Sequence, residues 1–485
     1  MADEKQNKRR DLTQGPIGST LIKFALPTLG SSVLQSLNGS INAVWVGRFL
    51  GENALAATSN ANMVMFLLNS FVFGFGMAAT ILVGQSFGRK DVDSARRAIG
   101  TALGAFIPVT IVIAALGWVF AADLLNVLGT PPGAYQLALD YLRVIFLAIP
   151  MSLVVILMMM GLRGAGDPVT PLYFMIVAVV LDTTLNPVFI LGLGPAPRLG
   201  IAGSALATVI ANLVGLIAMI GYIYARDLPL RLRGHELGYL KPHGPTLKTI
   251  MVKGFPMGLQ MIVVTLAALV MIGLVNAEGI DTVAAFGVAQ QLWTYVQMPA
   301  MAIGAAVSAM AAQNIGAQKW DRVAQVTRSG IIPNVLLTGA LVVLLLLFDR
   351  PALALFLGGD SPALPIARHI QMMATWNFVL FGVTMIFFGV VRANGSVIAP
   401  LIILAVAMFP VRLGFIALFR PALGTDALWL SFPAGSIVTV ILAALFYKYG
   451  GWRKGRMDVP PPPEEEMVEE ALGTSEPGGR LNPAG

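Results

Sequence analysis

Twelve apolar stretches constrain this chain more than any other feature. They lie near 18–46, 57–83, 95–119, 138–162, 169–193, 200–224, 248–276, 282–311, 323–348, 366–391, 397–420 and 425–448. A helix needs about 20 apolar residues to cross the hydrocarbon layer of a bilayer, and each stretch is long enough. β-Barrel strands would instead show alternating segments of about ten residues. The chain is therefore expected to be an all-α integral membrane protein with twelve transmembrane helices. Composition agrees: only 12% of the 485 residues are charged, against about 25% in soluble domains.

The charges that remain carry topology. If the N-terminus is cytoplasmic, 25 of the 32 Lys and Arg fall on the cytoplasmic side. They cluster at Lys5–Arg10, Arg89–Arg97, Arg226–Lys253, Lys319–Arg328 and Lys448–Arg456. Arg48, Arg143, Arg198, Arg350, Arg368, Arg412 and Arg420 lie outside or in the outer halves of spans. The positive-inside rule then sets the orientation, with both termini cytoplasmic and the chain multi-pass in the cell inner (plasma) membrane. The net charge of +7 is thus a topology signal, and no nucleic-acid partner is expected. The polar first fifteen residues and the long run after them do not read as a cleavable signal peptide. With no cysteine, and with His235, His243 and His369 far apart, no thiolate or histidine metal site is expected.

The two halves of the sequence repeat at an offset of about 228. Pro27 corresponds to Pro256, "GQSFGRKD" (84–91) to "AQNIGAQKWD" (312–321), and "LRGAGDPVTP" (162–171) to "VRANGSVIAP" (391–400). Gln85 thereby pairs with Gln313, Arg163 with Arg392 and Pro171 with Pro400. Six spans per half place the halves in the same orientation, a parallel repeat about an axis along the membrane normal. The expected units are an N-terminal tail at 1–16 and a first six-helix bundle at 17–225. A cytoplasmic linker at 226–247, a second bundle at 248–450 and a disordered Pro/Glu-rich tail at 451–485 follow. Two facing bundles suggest a central cavity opened by rocking one half against the other.

Inside the spans, "VLDTTLNPVFILG" (180–192) places Asp182 in the middle of an oily run. A charge at mid-bilayer costs about 2.5–3.5 kcal/mol on insertion scales and is functional by default. Asn186 lies one turn later on the same face, and Pro187 has no N–H to give the carbonyl of Thr183. Oxygens grouped in this way can hold Na⁺, and a lone buried carboxyl can equally carry a proton. A structural hydrogen-bonding role is the alternative. Ser31, Gln35, Asn38 and Asn42 form one polar stripe on the first span, either lining a cavity or bonding between helices. Ser204, Thr208 and Asn212 share a face of the sixth span. Met158 and Met175 offer pliable surface for a promiscuous pocket, though Met also serves as filler. Trp376 could stack on an aromatic cation or anchor at the interface. "DVDSARR" (91–97) reads as a helix N-cap.

These landmarks resemble the MATE family of multidrug and toxic compound extrusion exporters. "NAVWVGRFLGENALAA" (42–57) is similar to that family's Asp-Thr-x-x-x-Gly-x-Leu-Gly-x-x-x-Leu-Ala-Ala stretch, and "GQSFGRKD" to its Gln-x-x-Gly loop. "LRGAGDPVTP" and 181–210 resemble its fourth-to-sixth-span signature. The likeness covers residues 15 to 450 and points to the prokaryotic DinF-like and NorM-like branch. It implies two six-helix bundles related by a pseudo-two-fold axis. It also implies a secondary transporter exporting amphipathic, often cationic, drugs in exchange for H⁺ or Na⁺. It places coupling at Asp182, Asn186, Asn42 and Thr208, with Gln35, Asn38, Met158, Met175 and Trp376 as cavity candidates. No catalytic residue, no resident cofactor and no metal beyond Na⁺ at Asp182 are expected. The partners are small-molecule drugs and lipid, and the protein is expected to be a monomer.

The sequence departs from the family in three places. Asn42 stands where Asp is usual, Asp182-x-x-x-Asn186-Pro187 inverts the usual Asn-x-x-x-Asp-Pro, and 254–274 lacks the Glu of some members. Asp182 is left as the only carboxylate deep in a span. A lipid-linked oligosaccharide flippase of the same superfamily, an intramembrane enzyme and a channel are the competing readings. The flippase would want more spans and more cavity cations, and an enzyme would want clustered acids for Mg²⁺. A channel would want a selectivity ring.

Overall fold

The computed structural model describes residues 11–457 apart from 128, 131 and 456. The first half comprises α1 (Ile17–Leu50), α2 (Glu52–Gly88), α3 (Val92–Val119), the short α4 (Ala121–Val127), α5 (Pro132–Gly164), α6 (Val169–Leu191) and α7 (Ile201–Ala225). The second repeats the order: α8 (Gly244–Asn276), α9 (Ile280–Gly316), α10 (Trp320–Leu347), the short α11 (Asp349–Leu357), α12 (Ala363–Ala374) with α13 (Asn377–Ala393), α14 (Ile398–Val406) with α15 (Arg412–Leu423), and α16 (Asp426–Tyr449). Eleven spans are long and apolar enough to cross a membrane, and twelve result if the bent pair α12–α13 counts as one.

Local sequence sets the breaks. Gly51, at φ 86°, is the sole residue between α1 and α2; glycine takes that left-handed region without steric cost. Asp91 caps α3 by accepting from the Ser94 backbone N–H at 2.9 Å, as the motif predicted. Two of the expected spans are not continuous helices. The stretch 366–391 bends by 43° between α12 and α13. The stretch 397–420 is interrupted by a π-helical turn at Ala407–Val411, which contains Pro410.

Two expected boundaries need correction. The linker 226–247 is a packed element: its 3-10 turn Gly234–Leu240 lies on α3, where Gly100 and Gly104 meet the backbone of Tyr239 and Leu240. Arg96 anchors it through the Pro229 carbonyl and Glu236, and α8 starts at Gly244, inside the expected linker. The expected disordered tail begins too early. Gly451–Lys454 form a 3-10 turn, and Trp452 and Met457 are buried. Trp452 stacks on Tyr447, which buries its indole face. The stretch 458–485 of that tail, and residues 1–10 of the N-terminal one, lie outside the described residues.

The core divides along the bundle axis. Near the face that carries the Lys/Arg clusters, one apolar cluster draws on both halves, with Leu82, Ile99, Leu157 and Leu162 packing alongside Val307, Met310, Ile386 and Val390. Toward the opposite face there are two separate clusters. One uses only first-half residues, such as Val46, Ala57, Leu142 and Ile201; the other only second-half residues, such as Phe286, Trp293, Ile370 and Trp429. The halves therefore share a core at the basic face and separate into two lobes away from it.

The shared end is sealed by backbone contact. A Cβ on Gly88 would overlap the Gln313 carbonyl oxygen, and one on Gly316 would overlap that of Gln85. Side-chain amides then cross between halves. Gln85 Nε2 donates to the Ala393 carbonyl at 2.7 Å, and Gln313 Nε2 donates to the Gly164 carbonyl at 3.2 Å. Gln85 matches Gln313 in the repeat and Gly164 matches Ala393, so the exchange is two-fold symmetric. The chain segment before α1 joins the seal, with Leu12 N–H donating to Gln313 Oε1 and Asn314 Nδ2 donating to the Leu12 carbonyl.

Candidate functional site

Asp182 sits on α6 and is 1% exposed, and Asn186 one turn on is wholly buried. The helix runs on through Pro187 and ends at Gly192, whose φ of 71° is the left-handed cap typical of glycine. Asp182 is directed at α1 and α7. Its Oδ2 accepts from Asn38 Nδ2 and Asn42 Nδ2, each at 2.8 Å. Its Oδ1 accepts from Thr208 Oγ1 at 3.0 Å and Asn186 Nδ2 at 3.1 Å. Asn186 Nδ2 also reaches Asn42 Oδ1 at 3.0 Å, tying the set together.

All four neighbours donate, so both carboxyl oxygens serve as acceptors. Two carbonyl oxygens in the cluster, Asn38 Oδ1 and Asn186 Oδ1, are buried without a hydrogen-bond partner. The cluster therefore holds one buried acid that accepts four hydrogen bonds and two amide oxygens with no donor among the described residues. That donor set suits a hard monovalent cation or a proton.

A cavity of about 270 Å³ lies beside this cluster, between α1, α2, α5 and α7 of the first lobe. Asn42 and Thr208 belong to its wall as well as to the carboxylate cluster. The wall and the carboxyl cluster therefore share two side chains. Thr58, Asn62, Tyr141 and Ser152 add polar atoms to the wall, and Met65 and Ile145 add apolar surface.

Of the residues singled out by sequence, Asp182, Asn186, Asn42, Thr208 and Asn38 come together in one cluster. Gln35, although on the Asn38–Asn42 stripe, is exposed and does not reach it. Met158 is 7% exposed within the shared core, a filler position away from the cavity wall. Met175 is half-buried on α6, and Trp376 is 40% exposed at the α12–α13 bend, and neither lines this cavity. The methionine on the wall is Met65. Thr58, Asn62 and Met65 follow helical spacing on α2, a stripe visible in the sequence that was not singled out. Tyr141 sits between Asp140 and Arg143, whose charges mask it, and Ser152 is a small polar residue in an apolar run, so neither stood out in the sequence. In the second lobe, Glu278 accepts from Arg420 and from Thr425 Oγ1.

Comparison with known proteins supports the same architecture. The MatE family model matches the chain twice, over residues 27–188 and 256–418. A Bacillus subtilis (strain 168) protein named probable multidrug resistance protein YoeA is 36% identical over 433 residues, covering 89% of this chain and 93% of that protein. YpnP, a probable multidrug resistance protein from the same strain, is 29% identical over 449 residues, covering 92% and 98%. A crystal structure of a MATE protein in complex with MaL6 superposes with a TM-score of 0.83 at 21% identity, covering 91% of this chain and 98% of that one. The repeated match, the two-lobe fold and the YoeA likeness agree: the chain belongs to the MATE family of multi-span membrane transporters and is not an enzyme.

Proposed function

We propose that the protein exports amphipathic, often cationic, drugs or toxic compounds in exchange for H⁺ or Na⁺, with Asp182 as the coupling group. The observation that carries this reading is the double duty of Asn42 and Thr208, which bond the carboxylate and also form the cavity wall. With Asp182 ionised, the four donors hold α1, α6 and α7 together. Arrival of a proton on the carboxylate removes an acceptor, and arrival of Na⁺ turns oxygens toward the ion. Either event releases α1 from α6 and reshapes the wall that faces cargo. The cargo and the ion thus compete through shared residues, which is what exchange requires. Alternating access then needs the two lobes to part at the basic face and meet at the other.

The names of YoeA and YpnP, probable multidrug resistance proteins, support drug-like small-molecule cargo. The Lys/Arg distribution supports a cell inner membrane location with both termini cytoplasmic, the cavity side facing out. The protein would act as a monomer in lipid, because each chain holds its own cavity and coupling acid.

The test is efflux of a dye from proteoliposomes under an imposed pH or Na⁺ gradient, for the wild type and Asp182→Asn. Gradient-driven efflux by the wild type, lost in the well-expressed variant, is expected. Coupled efflux that survives Asp182→Asn would overturn the assignment.

A further inference from the structure

Arg412 is a buried cation that nothing so far accounts for. It lies near the middle of the apolar stretch Ile398–Leu423 and is 8% exposed. A guanidinium at that depth is costly unless paired. Its Nε and Nη2 have no hydrogen-bond acceptor among the described residues. Its guanidinium carbon stands 3.9 Å from the centroid of the Phe432 ring on α16. Gly435 on the same helix admits its stem, since a Cβ there would stand 2.7 Å from Arg412 Cγ. Fixing the stem and stacking one face leaves Nε and Nη2 buried without an acceptor among the described residues. A cation–π contact on the ring face cannot satisfy those N–H groups.

The repeat gives this position a meaning. Pro171 corresponds to Pro400, an offset of 229. The π turn Ala407–Val411, whose wider turn absorbs one added residue, follows that anchor. With that residue counted, Arg412 is the counterpart of Asp182. The pseudo-two-fold thus sets a carboxyl group that accepts four hydrogen bonds in one lobe against a guanidinium with two buried nitrogens, unpartnered among the described residues, in the other.

We propose that Arg412, with the Phe432 ring beneath it, binds the carboxylate or phosphate group of an exported organic molecule. Cargo would then include amphiphiles that carry an acid group as well as a cationic one. The planar N–H fork suits either oxyanion. This deepens the export reading and rests on it.

The test is direct binding, followed by fluorescence anisotropy, to the full-length protein in phosphatidylcholine nanodiscs. The probes are a xanthene dye with a free carboxylate and the methyl ester of the same dye. Arg412→Gln should weaken the acid at least about tenfold relative to the ester, the size of one lost charge-assisted contact. Arg412→Lys, which keeps the charge but loses the fork, should lie between the two. Equal weakening of both dyes, an unchanged acid-to-ester ratio, or no binding of either dye to the wild type would overturn the proposal. So would displacement of the acid dye by added phosphatidylglycerol, which would give the site to a lipid headgroup. Because binding is read without a gradient, failure of coupled efflux and failure of this site are separable.

Discussion

Gln85 and Gln313 do the same work in the two halves, each reaching across to a carbonyl of the other half. Asp182 and Arg412 occupy matching places as well, yet their surroundings have nothing in common. One is a carboxyl group clasped by four neutral donors from three helices. The other is a guanidinium whose Nε and Nη2 have no acceptor among the described residues. The seal at the basic face requires the halves to fit one another, so two-fold symmetry is retained there. The lobe interiors touch different things, and each has been free to take its own chemistry. The same contrast holds at the counterpart of Asn42: Met271 is buried in an apolar cluster at 3% exposure, where the first lobe has a polar one.

That contrast can be broken in order of expected effect. Asp182→Asn should have the largest, lowering gradient-driven efflux by about a hundredfold or more while leaving the folded fraction unchanged, because the amide keeps the volume but carries no exchangeable charge. Gly316→Val comes next. Its side chain would meet the Gln85 backbone, which cannot yield as a flexible side chain would. A loss of about 1–3 kcal/mol is expected, with the basic face held open. The chain has no cysteine of its own, so labelling of a single introduced cysteine near Leu162 reads that opening cleanly.

Asn42→Ala should weaken the coupling ion about tenfold, the cost of one hydrogen bond to a charged group, measured as the ion concentration for half-maximal efflux. Met271→Leu at the matching place should change stability by under about 1.5 kcal/mol and leave ion dependence alone. Equal effects of the two would erase the functional asymmetry between lobes. The last pair is Gln85→Ala, expected to cost about 1 kcal/mol in thermal unfolding, and Gln313→Ala, expected to cost about 2 kcal/mol because Leu12 N–H loses its acceptor as well. Equal values would show that the Leu12 contact adds nothing to the seal.

Much of this molecule was legible in the chain. The bilayer admits helices and closed barrels only, so run length and apolar content fixed an all-helical span set, and the landmark offset fixed the repeat. Asp182, Asn186, Asn42 and Thr208 were legible because a polar side chain in an oily run is expensive and keeps helical spacing with its partners. The packed linker and Trp452 were not, because Pro, Gly and Arg look alike in a loop and in a turn laid on a helix.

What the sequence determined by itself, then, is an all-helical set of about twelve spans, the repeat and the deep placement of Asp182. These follow from hydrophobic transfer and helix periodicity, which are local properties. Only the tertiary structure decided that Asn42 and Thr208 face both the acid and a cavity, that Met65 and not Met158 lines it, and that Arg412 lies buried beside Phe432 with its Nε and Nη2 lacking an acceptor among the described residues. Those facts depend on how helices from distant parts of the chain rotate and approach. No periodicity within a single span records them.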